Sequence, residues 1–303
     1  MHRIALAFAL VAVAACDQRS SPPAPARTAP PVPAPAPAAA AAPAAAPGGA
    51  ATFGHRAPAV GDRAEEKTAM VMTMTMGVTP AEGGAAQEQA MELREDETRL
   101  EEVLATSGDA VTRLKVTYAA RTETTKEDGK ETARPSPLPG KTFVVEARDG
   151  RITVTTEAGK PAPVAAARHV QESLALLGKP DPILTHMPRR PLVPGAPVPE
   201  LVAAIKEEIA AKAKEMPVER ATVTFARVAG DEGVFEITLE LVKLEKPTRL
   251  ALSLAGELRV KLATSAITAF TLKGPLQVAA APGEKAKITG SGRIELQTAR
   301  RPL

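Results

Sequence analysis

Few residues in this chain have the types and spacing that catalysis requires. Residues 139–143 (PGKTF) match the end of a phosphate-binding loop motif, but Pro135 stands where the first glycine of that motif is needed. The GSG at residues 290–292 lacks the spacing of a nucleophile elbow and falls within an alternating strand pattern. A bend or a close backbone approach is the better interpretation of those glycines. We therefore predict that the chain is not an enzyme.

The composition also argues against metal and nucleic-acid sites. Beyond residue 58 the only histidines are His169 and His186, which have no cysteine partners and are expected at surface or capping positions. The chain has no tryptophan, one tyrosine and six phenylalanines, so it offers few rings for base stacking. Its net charge of +3 is small for 303 residues. We predict no cofactor, no metal and no nucleic-acid partner.

Four methionines alternate along one predicted strand, at Met70, Met72, Met74 and Met76. Methionine is flexible and polarizable, and it is common on adaptable apolar binding surfaces. The row is therefore a candidate site for an acyl chain or a hydrophobic peptide, although ordinary core packing also accounts for it. Copper ligation by thioethers is disfavoured because no histidine accompanies them.

Cys16 is the single cysteine, and it follows the features of an export signal. His2 and Arg3 give a short positive start, residues 4–13 form an apolar run, and small residues follow. The run is shorter than the roughly 20 residues that a membrane-spanning helix needs. A lone cysteine cannot form an internal disulfide, so another role for its thiol is expected.

The four residues Val13, Ala14, Ala15 and Cys16 resemble the lipobox of bacterial lipoproteins. The resemblance implies that residues 1–15 are a signal peptide, and that Cys16 receives diacylglycerol and becomes the mature N-terminus. It also implies a protein of the cell envelope, anchored by lipid to a bacterial membrane, with a periplasmic or extracellular folded part. Asp17 resembles a residue that retains some lipoproteins in the inner membrane, but the choice between inner and outer membrane stays open.

A linker is predicted between the anchor and the folded part. Ten of the 29 prolines lie between Pro22 and Pro47, among runs of alanine. Such a segment cannot bury enough apolar surface to offset its chain entropy, so residues 16–58 are expected to be disordered and extended.

The remaining chain is predicted to be mainly β, in an α+β arrangement. Alternating apolar residues predict antiparallel strands, most clearly from Leu250 to Leu262, and a hairpin is predicted at Asp149 and Gly150. In that hairpin Val145 should face Val154, and Ala147 should face Ile152. Residues 87–105 fit either a helix or a strand, and strand is preferred.

Two apolar stripes predict helices that cover a curved sheet. One runs from Val164 to Leu177 and ends at Gly178, and the other runs from Val198 to Ile209. The chain then divides into two similar halves, residues 59–187 and 188–303. The segments MPRRPLVPG and LSLAGELRVKLATSAITAFTLKGPLQV also resemble a group of functionally uncharacterised envelope lipoproteins built of two β-rich halves.

Local charge is uneven and bears on how the protein acts. Residues 82–102 hold eight acidic and two basic residues, whereas residues 241–303 hold eleven basic and four acidic ones. These segments either join the halves or form two solvated faces.

Two functions remain as hypotheses. The space between sheet and helices binds a hydrophobic ligand or an envelope partner, or the protein is a structural or assembly lipoprotein that acts through surface contacts.

Overall fold

The computed structural model describes residues 49–80, 87–212, 216–245, 248–280 and 286–303. Alternating apolar and polar residues give long strands, and eleven of them join one antiparallel sheet. Three helices accompany the sheet. The prediction of a mainly β fold with a few packed helices is confirmed. Cys16, the predicted signal peptide and most of the predicted linker lie outside the described residues.

The elements are numbered in chain order. Strands β1 to β6 are Arg63–Pro80, Gln87–Ser107, Ala110–Glu127, Lys130–Arg134, Lys141–Arg148 and Arg151–Thr156. Helices α1 to α3 are Val164–Ser173, Pro182–His186 and Pro199–Lys212. Strands β7 to β11 are Val218–Ala229, Glu232–Glu245, Thr248–Lys261, Ile267–Ala280 and Ala286–Pro302.

The sheet has the order β6-β5-β3-β2-β1-β11-β10-β9-β8-β7, with β4 paired to β3. The chain therefore starts in the middle of the sheet, moves out to β6, resumes at the opposite edge with β7 and returns to the middle. Strands β1 and β11 pair there in an unbroken register from Ala64 with Pro302 to Pro80 with Ala286. Both predicted halves contribute to this single sheet.

Several local predictions are confirmed by the strand registers. Residues 87–105 belong to β2, so the preferred strand assignment is correct. Asp149 and Gly150 form the β5–β6 turn with positive φ angles of 52° and 74°. Val145 pairs with Val154, and Ala147 pairs with Ile152.

One face of the sheet carries most of the buried side chains, and we call it the inner face. In the first half it packs Val116, Phe143 and Val145 against Ala166 and Val170 of α1. Helix α1 ends at Ser173, earlier than the predicted stripe, and Val164 at its start is exposed. The buried side of α1 thus begins at Ala166, two residues later than the sequence pattern predicts.

In the second half the inner face packs against the N-terminal residues 51–56, which we call the strap. Ala51 and Leu192 exchange two backbone hydrogen bonds of 2.8 Å. Phe53 is 3% exposed, and its ring centre lies 5.3 Å from that of Phe235 and 6.0 Å from that of Phe225. The predicted linker included these residues. Phe53 supplies an aromatic ring that the surrounding alanine and proline residues lack, and it holds the strap on the sheet.

Both edges of the sheet are covered by the segment that leads into a helix. At β6, Thr156 and Val154 hydrogen-bond with Lys160 and Ala162, just before α1. At β7, residues 195–198 hydrogen-bond with Val223 and Phe225, just before α3. These contacts satisfy strand groups that would otherwise be open to pairing with another chain.

Candidate ligand-binding face

The four methionines of β1 all lie on the inner face, where their environment changes along the strand. Met70 and Met72 are buried, with 6% and 9% of their surface exposed, so ordinary core packing accounts for them. Met74 and Met76 are only partly buried, and Val78 beyond them is 39% exposed. We call the part of the inner face around Met74, Met76 and Val78 the methionine end.

Glycines stand beside the two partly buried methionines. In the β1–β11 pair Met74 faces Gly292, and Met76 faces Gly290. A Cβ atom at Gly290 would lie 3.3 Å from Cγ of Met76 and 3.6 Å from Sδ of Met74. The side chains of Met74 and Met76 therefore fill the space beside Gly290, and Leu276 and Val278 of β10 flank β11 on its other side.

Three inward-facing glycines follow a diagonal across the sheet. Gly256 faces Leu272, Gly274 faces Ile294, and Gly292 faces Met74. A Cβ atom on any of the three would collide with a carbonyl oxygen of a neighbouring strand, at Thr271, Ser253 or Thr73. Glycines at such close approaches allow a sheet to bend around the face that they occupy. The expected close approach at residues 290–292 is confirmed.

A pocket of about 260 Å³ opens near the methionine end. Most of the residues that line it belong to the face opposite the methionines: Thr73, Thr75, Ala90, Glu92 and Ser291. Met74, Met91 and Gly292 also line it, so the pocket combines polar and apolar surface.

At the other end of β1 and β2 the inner face carries four charges, three of them buried, which we call the charged square: the buried Glu66, Arg99 and Glu101 and the partly exposed Arg300. Arg99 contacts Glu66 at 2.7 Å and Glu101 at 2.9 Å. Arg300 contacts the same two carboxylates at 3.5 and 3.0 Å. Arg99 is 1% exposed. The square joins the C-terminal strand β11 to β1 and β2, which links the basic and acidic segments of the sequence.

Burial and ion pairing oppose each other in the charged square. Burial raises the pKa of Glu101, but the guanidinium groups of Arg99 and Arg300 outweigh that effect and hold the pKa below its usual value. Burial likewise lowers the pKa of Arg99, and Glu66 and Glu101 outweigh it, so the pKa of Arg99 is raised. Glu101, Arg99 and Arg300 are therefore charged at neutral pH.

A second group of charges, which we call the boundary cluster, lies between the charged square and the methionines: Glu95, Glu97, Arg121 and Glu123. The guanidinium of Arg121 contacts the three carboxylates at 3.0, 3.3 and 3.5 Å. The imidazole of His169 on α1 contacts both Arg121 and Glu97. His169 thus ties α1 to the sheet, whereas the sequence predicted a surface or capping position for it.

The other sequence candidates lie apart from this face. Residues 139–143 form the turn into β5, and His186 lies 3.6 Å from Glu207 at the end of α2. No group of three histidine, cysteine, aspartate or glutamate side chains suited to a metal ion occurs in the described part of the chain. Within the same residues, no helix combines the length and the hydropathy needed to cross a membrane.

The sequence interpretation missed the charged square and the boundary cluster. Their signal was present in the pattern, because Glu95, Glu97, Arg99 and Glu101 continue the alternation that begins at Met91 and Leu93. The sequence alone leaves two interpretations of these charges, a contact that joins the halves or two solvated faces. Only the register with β1, β3 and β11 shows that their opposite charges meet.

The chain has little detectable similarity to known proteins. No protein-family model matches the chain, and no curated protein matches it. Among solved structures the chain is similar to one of lipovitellin described by its lipid–protein interactions, with 9% sequence identity and a TM-score of 0.37. That similarity covers 78% of this chain and 25% of the lipovitellin chain, so the chain spans about a quarter of that protein's length.

Proposed function

We propose that this chain is a lipid-anchored envelope protein whose methionine end binds the apolar part of a hydrophobic ligand. The supporting observation is the partly exposed apolar surface of Met74, Met76 and Val78, where the two methionines lie beside glycines of β11. The flexible thioethers of the methionines and the aliphatic side chains beside them form an apolar surface that adapts its shape to a bound ligand. A ligand that covers Met74, Met76 and Val78 gains roughly 25 cal/mol for each Å² of apolar surface removed from water.

The ligand is tested by purifying the full-length protein from native membranes and identifying retained molecules by mass spectrometry. We expect an acyl-containing ligand on the wild type and its loss from the double variant Met74→Glu/Met76→Glu. The matched control is Thr73→Glu/Thr75→Glu, which places the same charges on the opposite face of the same strand and should retain the ligand.

Two outcomes would reject this function. A wild-type protein that carries no apolar ligand would favour a structural or assembly lipoprotein, which crosslinking in membranes would test by recovering discrete protein partners. Equal retention by the methionine and threonine variants would place the ligand elsewhere. Thermal unfolding of both double variants establishes that the comparison is made on folded protein.

The anchor rests on the lipobox residues and is tested separately. Two or more acyl chains on Cys16 would hold the protein stably, whereas one chain binds membranes only marginally. We expect radiolabelled palmitate to enter the wild type, and Cys16→Ser to release the protein into the soluble fraction. A serine variant that stays in the membrane fraction would contradict the anchor.

A further inference from the structure

Partial exposure distinguishes two methionines of this chain from the others. The structure describes seven of the eight methionines, all except Met1. Five of the seven are buried, with at most 9% of their surface exposed: Met70, Met72, Met91, Met187 and Met216. Met74 and Met76, at the methionine end, are partly exposed. An oxidant dissolved in water therefore reaches these two side chains more readily than it reaches the five buried ones.

The neighbouring strands explain why exposure increases along β1. Met72 faces the buried Ile294 of β11, whereas Met76 faces Gly290, which has no side chain to cover a thioether. On its other side Met76 faces Gln89 of β2, which is itself exposed. The sheet thus covers one thioether and leaves another open to solvent four residues further along the same face.

Thioethers react with hydrogen peroxide by transfer of one oxygen atom. An S–O bond forms as the O–O bond breaks, the sulfur is oxidised by two electrons, and the peroxide leaves as water. The product, methionine sulfoxide, is polar, whereas the thioether is apolar. Sulfoxide reductases restore the thioether with two electrons from a thiol reductant. Sulfoxides at Met74 and Met76 would therefore make the methionine end polar, and the change would be reversible.

We infer that Met74 and Met76 form a reversible oxidation site, where hydrogen peroxide produces sulfoxides and thereby weakens apolar binding at the methionine end. The oxidation follows from exposure and does not depend on the ligand. Its effect on binding rests on the proposed function and adds a regulation to it. An acyl chain that covers hydrated sulfoxides removes less apolar surface from water, so it is bound more weakly. Met70 and Met72 stay reduced, because they are buried.

The first test determines which methionines react. The full chain carrying Cys16→Ser, which removes the only thiol, is treated with increasing amounts of hydrogen peroxide. Fragment-ion mass spectrometry then locates the added oxygen. We expect Met74 and Met76 to be oxidised about fivefold or more faster than Met70 and Met72. In denaturant the four rates should become equal. Equal rates in the folded protein would overturn the oxidation site.

The second test measures how the sulfoxides change apolar binding. The probe is decyl maltoside, which has an uncharged head group, and calorimetry below its micelle concentration gives its affinity. We expect oxidation to weaken binding by about fivefold or more. Treatment with sulfoxide reductases and a dithiol should restore the affinity. If the oxidised protein binds the probe as tightly as the reduced protein, the regulation is wrong.

Two double variants assign the effect to the methionine end. Met74→Leu/Met76→Leu keeps an apolar surface without an oxidisable sulfur, so peroxide should leave its affinity for the probe unchanged. Met70→Leu/Met72→Leu is the matched control on the same face of the same strand, and it should lose affinity on oxidation as the wild type does. Loss of affinity in both variants would place the effect at another residue and overturn the inference.

Thermal unfolding establishes that the two variants and the oxidised wild type are folded. The wild-type oxidation rates test the site even where a variant fails to fold.

The outcomes separate the inference from the function on which its second part rests. Selective oxidation without weaker binding would overturn the regulation and leave apolar binding intact. A reduced wild-type protein that binds no decyl maltoside would overturn both the proposed function and the regulation, while the oxidation rates would still decide whether the site exists.

Discussion

At one end of β1 and β2 the inner face buries carboxylates and guanidiniums, whereas at the other end of the same strands it carries thioethers, aliphatic side chains and glycines. The charged square is almost fully enclosed, and each of its members contacts two of the others. The methionine end is partly exposed. The two ends of this face therefore have different roles. The charges hold the central strands together, and the apolar end stays available for contact.

The free-energy cost of burying an unpaired charge determines which substitutions each end of the inner face tolerates. A buried ion pair contributes little net stability, but removal of one partner leaves the other charge buried and unpaired. A partly exposed apolar surface made of flexible side chains tolerates changes of shape more readily. We therefore expect substitutions in the charged square to affect folding, and substitutions at Met74 and Met76 to affect binding.

The largest effect is expected for Arg99→Met. This change removes the guanidinium that contacts both Glu66 and Glu101, and it should lower the free energy of unfolding by about 3–5 kcal/mol. Denaturant titration measures the change. Arg94→Met, at an exposed position on the other face of β2, should change it by less than about 0.5 kcal/mol. Equal stability of the two variants would show that the square is not a structural unit.

A smaller effect is expected for Gly292→Val on the glycine diagonal. The new side chain would collide with the carbonyl oxygen of Thr73, which should cost about 1–3 kcal/mol in unfolding free energy. Gly77→Ala on β1 is the control, because its Cβ would meet only Thr289 at an ordinary 3.7 Å. If Gly292→Val unfolds at the same denaturant concentration as the wild type, the sheet does not depend on this close approach.

The smallest effect is expected on the pH dependence of the unfolding free energy, through the carboxyl group of Glu101. Its pKa is lowered in the folded protein, so its ionisation favours the folded state above the unfolded-state pKa near 4.5. That contribution is lost as the pH falls below about 4.5 and through the folded-state pKa. The free energy of unfolding should therefore fall less steeply with acidification in Glu101→Gln than in the wild type. Parallel pH profiles would contradict the pKa direction.

Much of this fold could be predicted from the sequence, because the alternation of apolar and polar residues is a local pattern. Leu250 to Leu262 and the Asp149–Gly150 turn carry their own signals, and the predicted strands and hairpin register are observed. The pairing of β1 with β11 joins residues more than 200 positions apart, and no local pattern encodes it. The position of Phe53 against Phe235 depends on that distant architecture in the same way.

The candidate site was only partly predictable for a related reason. The methionine row is a period-two pattern, and its members do share a face. Which methionines are buried depends on their partners on β2 and β11, so Met72 and Met76 cannot be distinguished locally. The boundary cluster depends on two strands and a helix. Each glutamate alone is indistinguishable from a solvated one.

The central claim is that an apolar ligand lies on the inner face at the methionine end. Its most direct test places the photocrosslinking residue p-benzoylphenylalanine at position 76 or at position 75, and irradiates the full-length protein in native membranes. Adjacent residues on β1 point to opposite faces, so the two positions form a matched pair. We expect an acyl-containing adduct at position 76 and none at position 75. Equal labelling of both positions, or no lipid adduct at position 76, would contradict the claim.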